Sequence, residues 1–282
     1  MKVYSVGNSP KIGLIAGYGS FPLEMGVELN RLGYEIHVVA VREETSPDIE
    51  RVAASVCWLH VGQIGAMIKA FNNAGVSEVV MAGKVKKLHL FRNFRPDFVA
   101  LKGLLKLSDR RDDSIMLAVT EILDEAGITV LSQVAHAGEM IASRGLLFGS
   151  KLDQQAMKDA HFGFHQAKAI AGMDIGQTVV VQDQAMLAVE AIEGTDEAIK
   201  RGGGLGNGKA VVIKVAKPDQ DLRFDVPAFG PDTLEVMHES GCKTLVVEAD
   251  ATLMLERQKI GDLAKKHGIS IYGMDRDEPE AK

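Results

Sequence analysis

The densest run of reactive side-chain types lies in the second half of the 282-residue sequence: Lys214, Lys217, Asp219, Gln220, Asp221, Arg223 and Asp225. Lysine and arginine neutralise phosphate oxygens, and carboxylates hold Mg²⁺ or orient an attacking water, so the set offers what phosphoryl transfer needs. In an extended conformation, Asp221, Arg223 and Asp225 would share one face and Leu222, Phe224 and Val226 the other. A structural ion-pair strip is the competing reading. Upstream, Glu193-Gly194-Thr195-Asp196-Glu197 forms a second polar group, at the start of an expected helix.

Two features of the first half suit an anion. Gly13-x-x-x-Gly17-Tyr18-Gly19-Ser20 falls between an apolar run and a helical pattern. Such a turn aims backbone N–H groups at a ligand, and the helix dipole favours negative charge. The spacing is not a complete G-x-G-x-x-G, and a plain strand-to-helix turn explains it equally well. The next apolar run ends Ala40-Val41-Arg42, with Glu43 just beyond, which argues against a nicotinamide dinucleotide fingerprint. Gly83-Lys84 follows a third run, where open α/β sheets bind ligands. Lys84 also reads as one of several solvated lysines with Lys86 and Lys87. Asp112-Asp113-Ser114 suits a helix cap or Mg²⁺. His161 and His165, four apart on a helix, make a weak metal pair. Neither a G-x-S-x-G nucleophile elbow nor a G-x-x-x-x-G-K-[ST] phosphate loop occurs.

The elements that must position these residues alternate. Strands are expected at 11–16, 35–41, 78–82 and 128–131, with helices from Pro22 to about Leu32, from Ile64 to Ala74 and from Asp112 to Ala126. This order implies a parallel sheet with right-handed crossovers, a Rossmann-like domain. After Ser132 the pattern loosens, and the domains are expected to be 1–135 and 136–282, the second carrying the Asp225 motif. In the second, a helix from Gln154 to Ala171, a hairpin around Asp183-Gln184, a helix that begins at Thr195 to Lys200 and is followed by Gly202-Gly203-Gly204, and strands at 210–216, 245–247 and 269–271 make another α/β unit. The acidic tail beyond Asp275 is expected to fray.

Composition narrows the class. A net charge of −6 argues against a nucleic-acid binder. Two isolated cysteines, Cys57 and Cys242, fit a reducing compartment. No apolar run reaches the roughly 18 residues of a spanning helix, and the first residues lack a signal-peptide pattern. The expectation is a cytoplasmic protein, peripheral at most at the inner membrane. A homodimer is compatible with these features.

The combination of Ile12-Gly13-Leu14-Ile15-Ala16-Gly17-Tyr18-Gly19-Ser20-Phe21-Pro22, Ala82-Gly83-Lys84-Val85, Ala191-Ile192-Glu193-Gly194-Thr195-Asp196, Lys214-Val215-Ala216-Lys217-Pro218 and Arg223-Phe224-Asp225-Val226-Pro227 resembles the LpxI-type UDP-2,3-diacylglucosamine pyrophosphatases of lipid A biosynthesis, across nearly the whole chain. The resemblance implies two α/β domains with substrate held between them, in a cleft apolar enough for two acyl chains. It implies Mg²⁺-dependent hydrolysis of UDP-2,3-diacylglucosamine to UMP and 2,3-diacylglucosamine 1-phosphate (lipid X). It makes Asp225 the essential acidic residue. Asp221 and Asp219 are further metal candidates. Gly17, Tyr18, Gly19, Ser20, Lys84, Glu193, Gly194 and Thr195 become substrate contacts, with Lys214, Lys217 and Arg223 as charge-neutralising partners. Two other classes remain open: a Rossmann-type module that holds a nucleotide without turnover, and a nicotinamide-dependent oxidoreductase.

Overall fold

A computed structural model describes residues 9–85, 94–105 and 112–275. The acidic tail, Lys86 and Lys87 lie outside these residues, as do the first eight positions and the side chains of Asp112 and Asp113. The chain forms two compact units. One comprises Met1–Gly138 with Leu222–Asp225, the other Glu139–Asp221 with Val226–Lys282.

The first unit is built on five strands: β1 (Lys11–Ala16), β2 (Glu35–Val41), β3 (Ser55–Leu59), β4 (Glu78–Ala82) and β5 (Thr129–Val130). Their order is β3-β2-β1-β4-β5, and every pairing is parallel. This is the doubly wound arrangement, with its switch point between β1 and β4. Its helices are α1 (Phe21–Arg31), α2 (Ile64–Ala74), α3 (Phe98–Leu104), α4 (Asp112–Glu125) and the single turn α5 (Gln133–His136). Pro22 in the first turn of α1 and left-handed Gly75 ending α2 are the expected start and stop signals. Phe71, Met67, Val79, Met81, Leu123 and Ile128 fill the core on one face of the sheet. β3 is an addition to the expected strands. It is an edge strand whose residues from Val56 to Leu59 are only partly buried, so it lacks the apolar contrast that marks an interior strand.

The second unit has a six-stranded mixed sheet. Its strands are β6 (Gly145–Phe148), β7 (Thr178–Gln182), β8 (Ala185–Val189), β9 (Val211–Lys214), β11 (Thr244–Glu248) and β13 (Ser270–Met274), in the order β6-β13-β11-β9-β7-β8. The centre, β13-β11-β9, is parallel, and the flanking strands run antiparallel. Short β10 (Ala228–Phe229) and β12 (Leu253–Met254) pair with each other. Helices α6 (Gln154–Gly172), α7 (Thr195–Leu205), α8 (Pro231–Glu239) and α9 (Arg257–His267) complete the unit. The hairpin turns at Asp183 and Gln184, both with positive φ, and the Asp159 carboxylate accepts both of their N–H groups at 2.9 and 2.7 Å. That buried carboxylate therefore serves the turn.

The helix that begins at Thr195 runs through Gly202-Gly203-Gly204 to Leu205. The glycines are there for contact. A Cβ on Gly202 would lie 2.5 Å from Val180 Cβ, and one on Gly203 would lie 2.5 Å from the Ser240 carbonyl. His161 is buried and His165 exposed, and among the described residues they are not part of a group of three or more metal-ligating side chains. Cys242 is buried beside the same helix, and burial pushes its thiol up to about 11 from 9.0. Iodoacetamide near pH 8 is thus expected to leave Cys242 unmodified in the native protein and to label it after denaturation, as read by mass spectrometry. The sign of the linkage is definite. The stability gained by burying the neutral thiol is present below 9.0 and lost as pH rises towards about 11. No helix among the described residues is long and apolar enough to cross a membrane.

Candidate functional site

In the first unit, the chain leaving β1 meets the chain leaving β4 at the switch point. Gly17 N–H donates to Ala82 O (2.8 Å) and Tyr18 N–H to Lys84 O (2.6 Å), and Lys84 N–H donates back to Tyr18 O (3.1 Å). The two expected anion motifs are therefore one structure, an antiparallel bridge between Tyr18 and Lys84. Glycine is required for this approach: a Cβ on Gly17 would sit 2.5 Å from Lys84 O, and one on Gly83 2.7 Å from Tyr18 O. Since Gly17 and Tyr18 use their N–H groups internally, the donors for an anion shift onward to Gly19, Ser20 and the start of α1. Ser20 occupies the N-cap with its hydroxyl not engaged in the cap. Behind the loop, Thr45 Oγ1 donates to Ala16 O (2.6 Å) and accepts from Val41 N–H (3.1 Å), tying the ends of β1 and β2 together.

The Leu222–Asp225 segment joins this unit as a strap. Residues 222–224 form a turn, so the extended strip with one polar face is not what forms. Phe224 packs into the cluster containing Met81, Leu123, Met116 and Val119, and the competition between burying that ring and keeping the strand alternation is settled by the ring. Gln133, only 4% exposed, is the fastening. Its N–H donates to Leu222 O and its Nε2 to Met81 O, each at 2.8 Å. The strap carrying Arg223 and Asp225 is thereby fixed at the carboxyl edge of β4 and β5. Sequence reasoning passed over Gln133; its only signal was an amide in a stretch read as a connection.

In the second unit, Lys214 ends β9 and Thr195 begins α7. Lys214 Nζ donates to Thr195 Oγ1 (3.0 Å), which donates to Glu190 Oε1 (2.8 Å). Gly194, with φ of 86°, caps the helix without a side chain, so the first-turn N–H groups and Lys214 face the same end of the helix. Glu193 turns elsewhere: it accepts from Arg201 (2.5 Å) and from Ala191 N–H (3.1 Å). Its carboxyl is held below the usual value first by its own backbone N–H and then by Arg201. Lys217 pairs with Asp174 at 2.6 Å, Asp219 is exposed in a turn, and Asp221 lies just outside the strap. The loop begins from a firm anchor: Lys168 Nζ donates to Ala216 O (2.7 Å), Ala216 N–H donates to Glu248 (2.8 Å), and the lysine and Glu248 pair at 2.9 Å. A polar cavity of about 310 Å³, lined by Asp153, Asp159, Lys209 and Lys243 among others, sits at the opposite, amino edge of β9 and β11.

Among the described residues, no three His, Cys, Asp or Glu side chains converge to hold a metal. Mg²⁺ rarely uses an all-protein cage and takes one or two carboxylates plus substrate phosphates. Asp225 fits that donor set as a single carboxylate; Asp221 and Asp219 do not join it within one unit.

These features define a two-unit α/β protein with a Rossmann-like first half. Family models for the LpxI N-terminal domain and the LpxI C-terminal domain match residues 11–140 and 143–272. The UDP-2,3-diacylglucosamine pyrophosphatase LpxI of Caulobacter vibrioides is 30% identical over 279 residues, covering 95% of this chain and 99% of that one. The chain belongs to the LpxI family. Among solved structures, a UDP-glucose 4-epimerase from Stenotrophomonas maltophila with NAD matches 42% of this chain and 34% of its own, at 15% identity and TM-score 0.29. Bordetella bronchiseptica WbmG with NAD matches 45% and 37%, at 17% identity and TM-score 0.29. This chain spans about a third of the length of those two proteins, and likenesses at that level bear on neither ligand nor reaction.

Proposed function

We propose that this protein hydrolyses the pyrophosphate of UDP-2,3-diacylglucosamine, releasing UMP and 2,3-diacylglucosamine 1-phosphate, as the name of its Caulobacter relative suggests. The observation that carries the reading is the fastening of the Arg223–Asp225 strap to the sheet edge that also holds Gly19, Ser20 and Lys84. Phosphate oxygens are received by the Gly19–Ser20 end of α1 and by Lys84, and Arg223 neutralises the charge that develops. Asp225 orients the attacking water and takes its proton. One new P–O bond forms, the P–O bond to the bridging oxygen breaks, and that oxygen departs with the other phosphate. Asp225 is also the residue that would hold Mg²⁺; bound there, the cation would supply charge neutralisation on the pyrophosphate. In the second unit, Gly194, Thr195 and Lys214 offer a further set of phosphate or sugar contacts, whereas Glu193 and Lys217 are held by Arg201 and Asp174. An acylated substrate fits an enzyme working at the cytoplasmic face of the inner membrane.

The test is UMP release from UDP-2,3-diacylglucosamine by the purified protein, with Mg²⁺ and with EDTA. UMP and lipid X formed only with Mg²⁺ support the reading. Tight binding of the UDP-sugar with no UMP under either condition replaces it with a nucleotide-holding module. Within the reading, Thr195→Val has a specific effect. It removes the hydroxyl linking Lys214 to Glu190, and KM is expected to rise about tenfold with kcat little changed, the worth of one hydrogen bond to a charged group. A fall in kcat at constant KM would take Thr195 out of ground-state binding.

A further inference from the structure

The hydrogen bond between Thr195 and Glu190 has only one possible sense. A carboxylate accepts, so the Thr195 hydroxyl gives its single proton to Glu190 Oε1 (2.8 Å). Its oxygen is then turned to accept, and Lys214 Nζ donates to it at 3.0 Å. The order of donors runs from ammonium to hydroxyl to carboxylate, and the carboxylate sets it. Glu190 belongs to none of the sequence motifs singled out above, although it stands just before one of them. It is partly buried at the end of β8. Its own N–H donates to Thr178 O (2.9 Å) on β7, and a Cβ on Gly176 would collide with its carbonyl. Thr178 is in turn the register partner of Lys214 on β9.

Neither neighbouring element depends on that carboxylate for its place. The Glu190 main chain is fixed by its bond to Thr178 and by the close approach of Gly176, and its Oε2 takes only one long bond, from Gln177 N–H (3.3 Å). Helix α7 is seated by its buried face, Ala198, Ile199, Gly202 and Gly203, with Gly202 against Val180 and Gly203 against Ser240. The work of the carboxylate is to orient Thr195, and through it Lys214. We propose that Glu190 is a positioning residue that, acting through Thr195, aims the Lys214 ammonium at a phosphate of the nucleotide sugar. The inference rests on the reading that Thr195 and Lys214 meet that substrate. It also predicts a sign. By charge alone, removing a carboxylate beside an anion site tightens the site; by positioning, the same change weakens it. Glu190→Gln separates the two. The amide keeps the size of the carboxylate but carries donors on one side. Whichever way it turns, its N–H groups meet either the Thr195 oxygen, in competition with Lys214, or the Gln177 N–H.

The test is titration calorimetry of the full-length protein with UDP in Mg²⁺ buffer, a probe that carries two phosphates and needs no turnover. Glu190→Gln is expected to weaken UDP binding about tenfold, the worth of one hydrogen bond to a charged group, with the Tm little changed. In a Lys214→Met background the same change should cost less than about twofold, because the group it positions is gone. Should Glu190→Gln lower the Tm, Thr195→Val tests the same link from its middle: its loss of UDP affinity must also vanish in the Lys214→Met background. Unchanged or tighter UDP binding by a folded Glu190→Gln protein overturns the proposal. So does an equal loss in the wild-type and Lys214→Met backgrounds, because Glu190 then acts on something other than Lys214. Wild-type protein that binds no UDP overturns it as well. A protein that binds UDP and shows the coupling, yet releases no UMP from UDP-2,3-diacylglucosamine, retains the positioning role and loses the proposed hydrolysis.

Discussion

Asp225→Ala lowers UMP release by about 10²- to 10⁴-fold, the usual range for removing a positioned acid or base, while the thermal midpoint stays within a few degrees. The second half of that expectation comes from how the strap is held. Its anchors are the Leu222 carbonyl, which accepts from Gln133, and the partly buried Phe224 ring packed against the core. The Asp225 side chain is only half-buried and is neither of these anchors. Phe224→Ala is the contrasting variant. It removes a partly buried ring and should lower stability by roughly 1–2 kcal/mol as well as activity, since the strap loses its grip. If Asp225→Ala turns over at a near wild-type rate, the carboxylate is no part of the chemistry. If both variants lose activity and stability together, Asp225 is structural.

The largest stability effect belongs to the triple glycine of α7. Gly202→Val places a branched side chain where even a Cβ lies 2.5 Å from Val180 Cβ, in the fully buried centre of β7. Overpacking of this kind costs about 3 kcal/mol or more, and at about 2–4 °C per kcal/mol for a chain of this size the midpoint should fall by roughly 10 °C. Gly204 provides the control. A Cβ there meets nothing within 4 Å, so Gly204→Ala should gain about 0.5–1 kcal/mol from helix propensity alone. Opposite shifts two residues apart in one helix, measured by calorimetry, would separate packing from propensity. Equal destabilisation at both positions would mean that α7 does not lie against β7 as described.

The same glycines show where sequence reading stops. Gly-Gly-Gly carries a strong local stop signal, and only knowledge of the strand beneath α7 reveals why it is helix. The first unit was legible because its information is local: apolar runs ending in Gly17 and Gly83, Pro22 opening α1, Gly75 closing α2. β3 was missed because an edge strand of partly buried residues has little periodic contrast. At the site, residue types were readable but partnerships were not. Lys214 meets Thr195 across 19 positions, and Gln133 meets Leu222 across 89. The strip at 221–226 alternates as a strand would, yet burying Phe224 turns it. Glu193 and Lys217 sit among the candidates by composition, and each has taken a local ion partner, Arg201 and Asp174.

The strap has a consequence for modularity. The polypeptide passes from the first unit to the second after Gly138, returns for Leu222–Asp225, and leaves again. A gene fragment ending at Gly138 would encode a sheet with the Gln133 backbone N–H orphaned and no Phe224 against its core, while the complementary fragment would carry four residues whose binding place is missing. The halves cannot be traded with other proteins as independent beads, and a shuffled chimera would inherit the Rossmann-like sheet without the aspartate its edge holds. Supplied together as separate chains, however, the two fragments have a built-in reason to find each other.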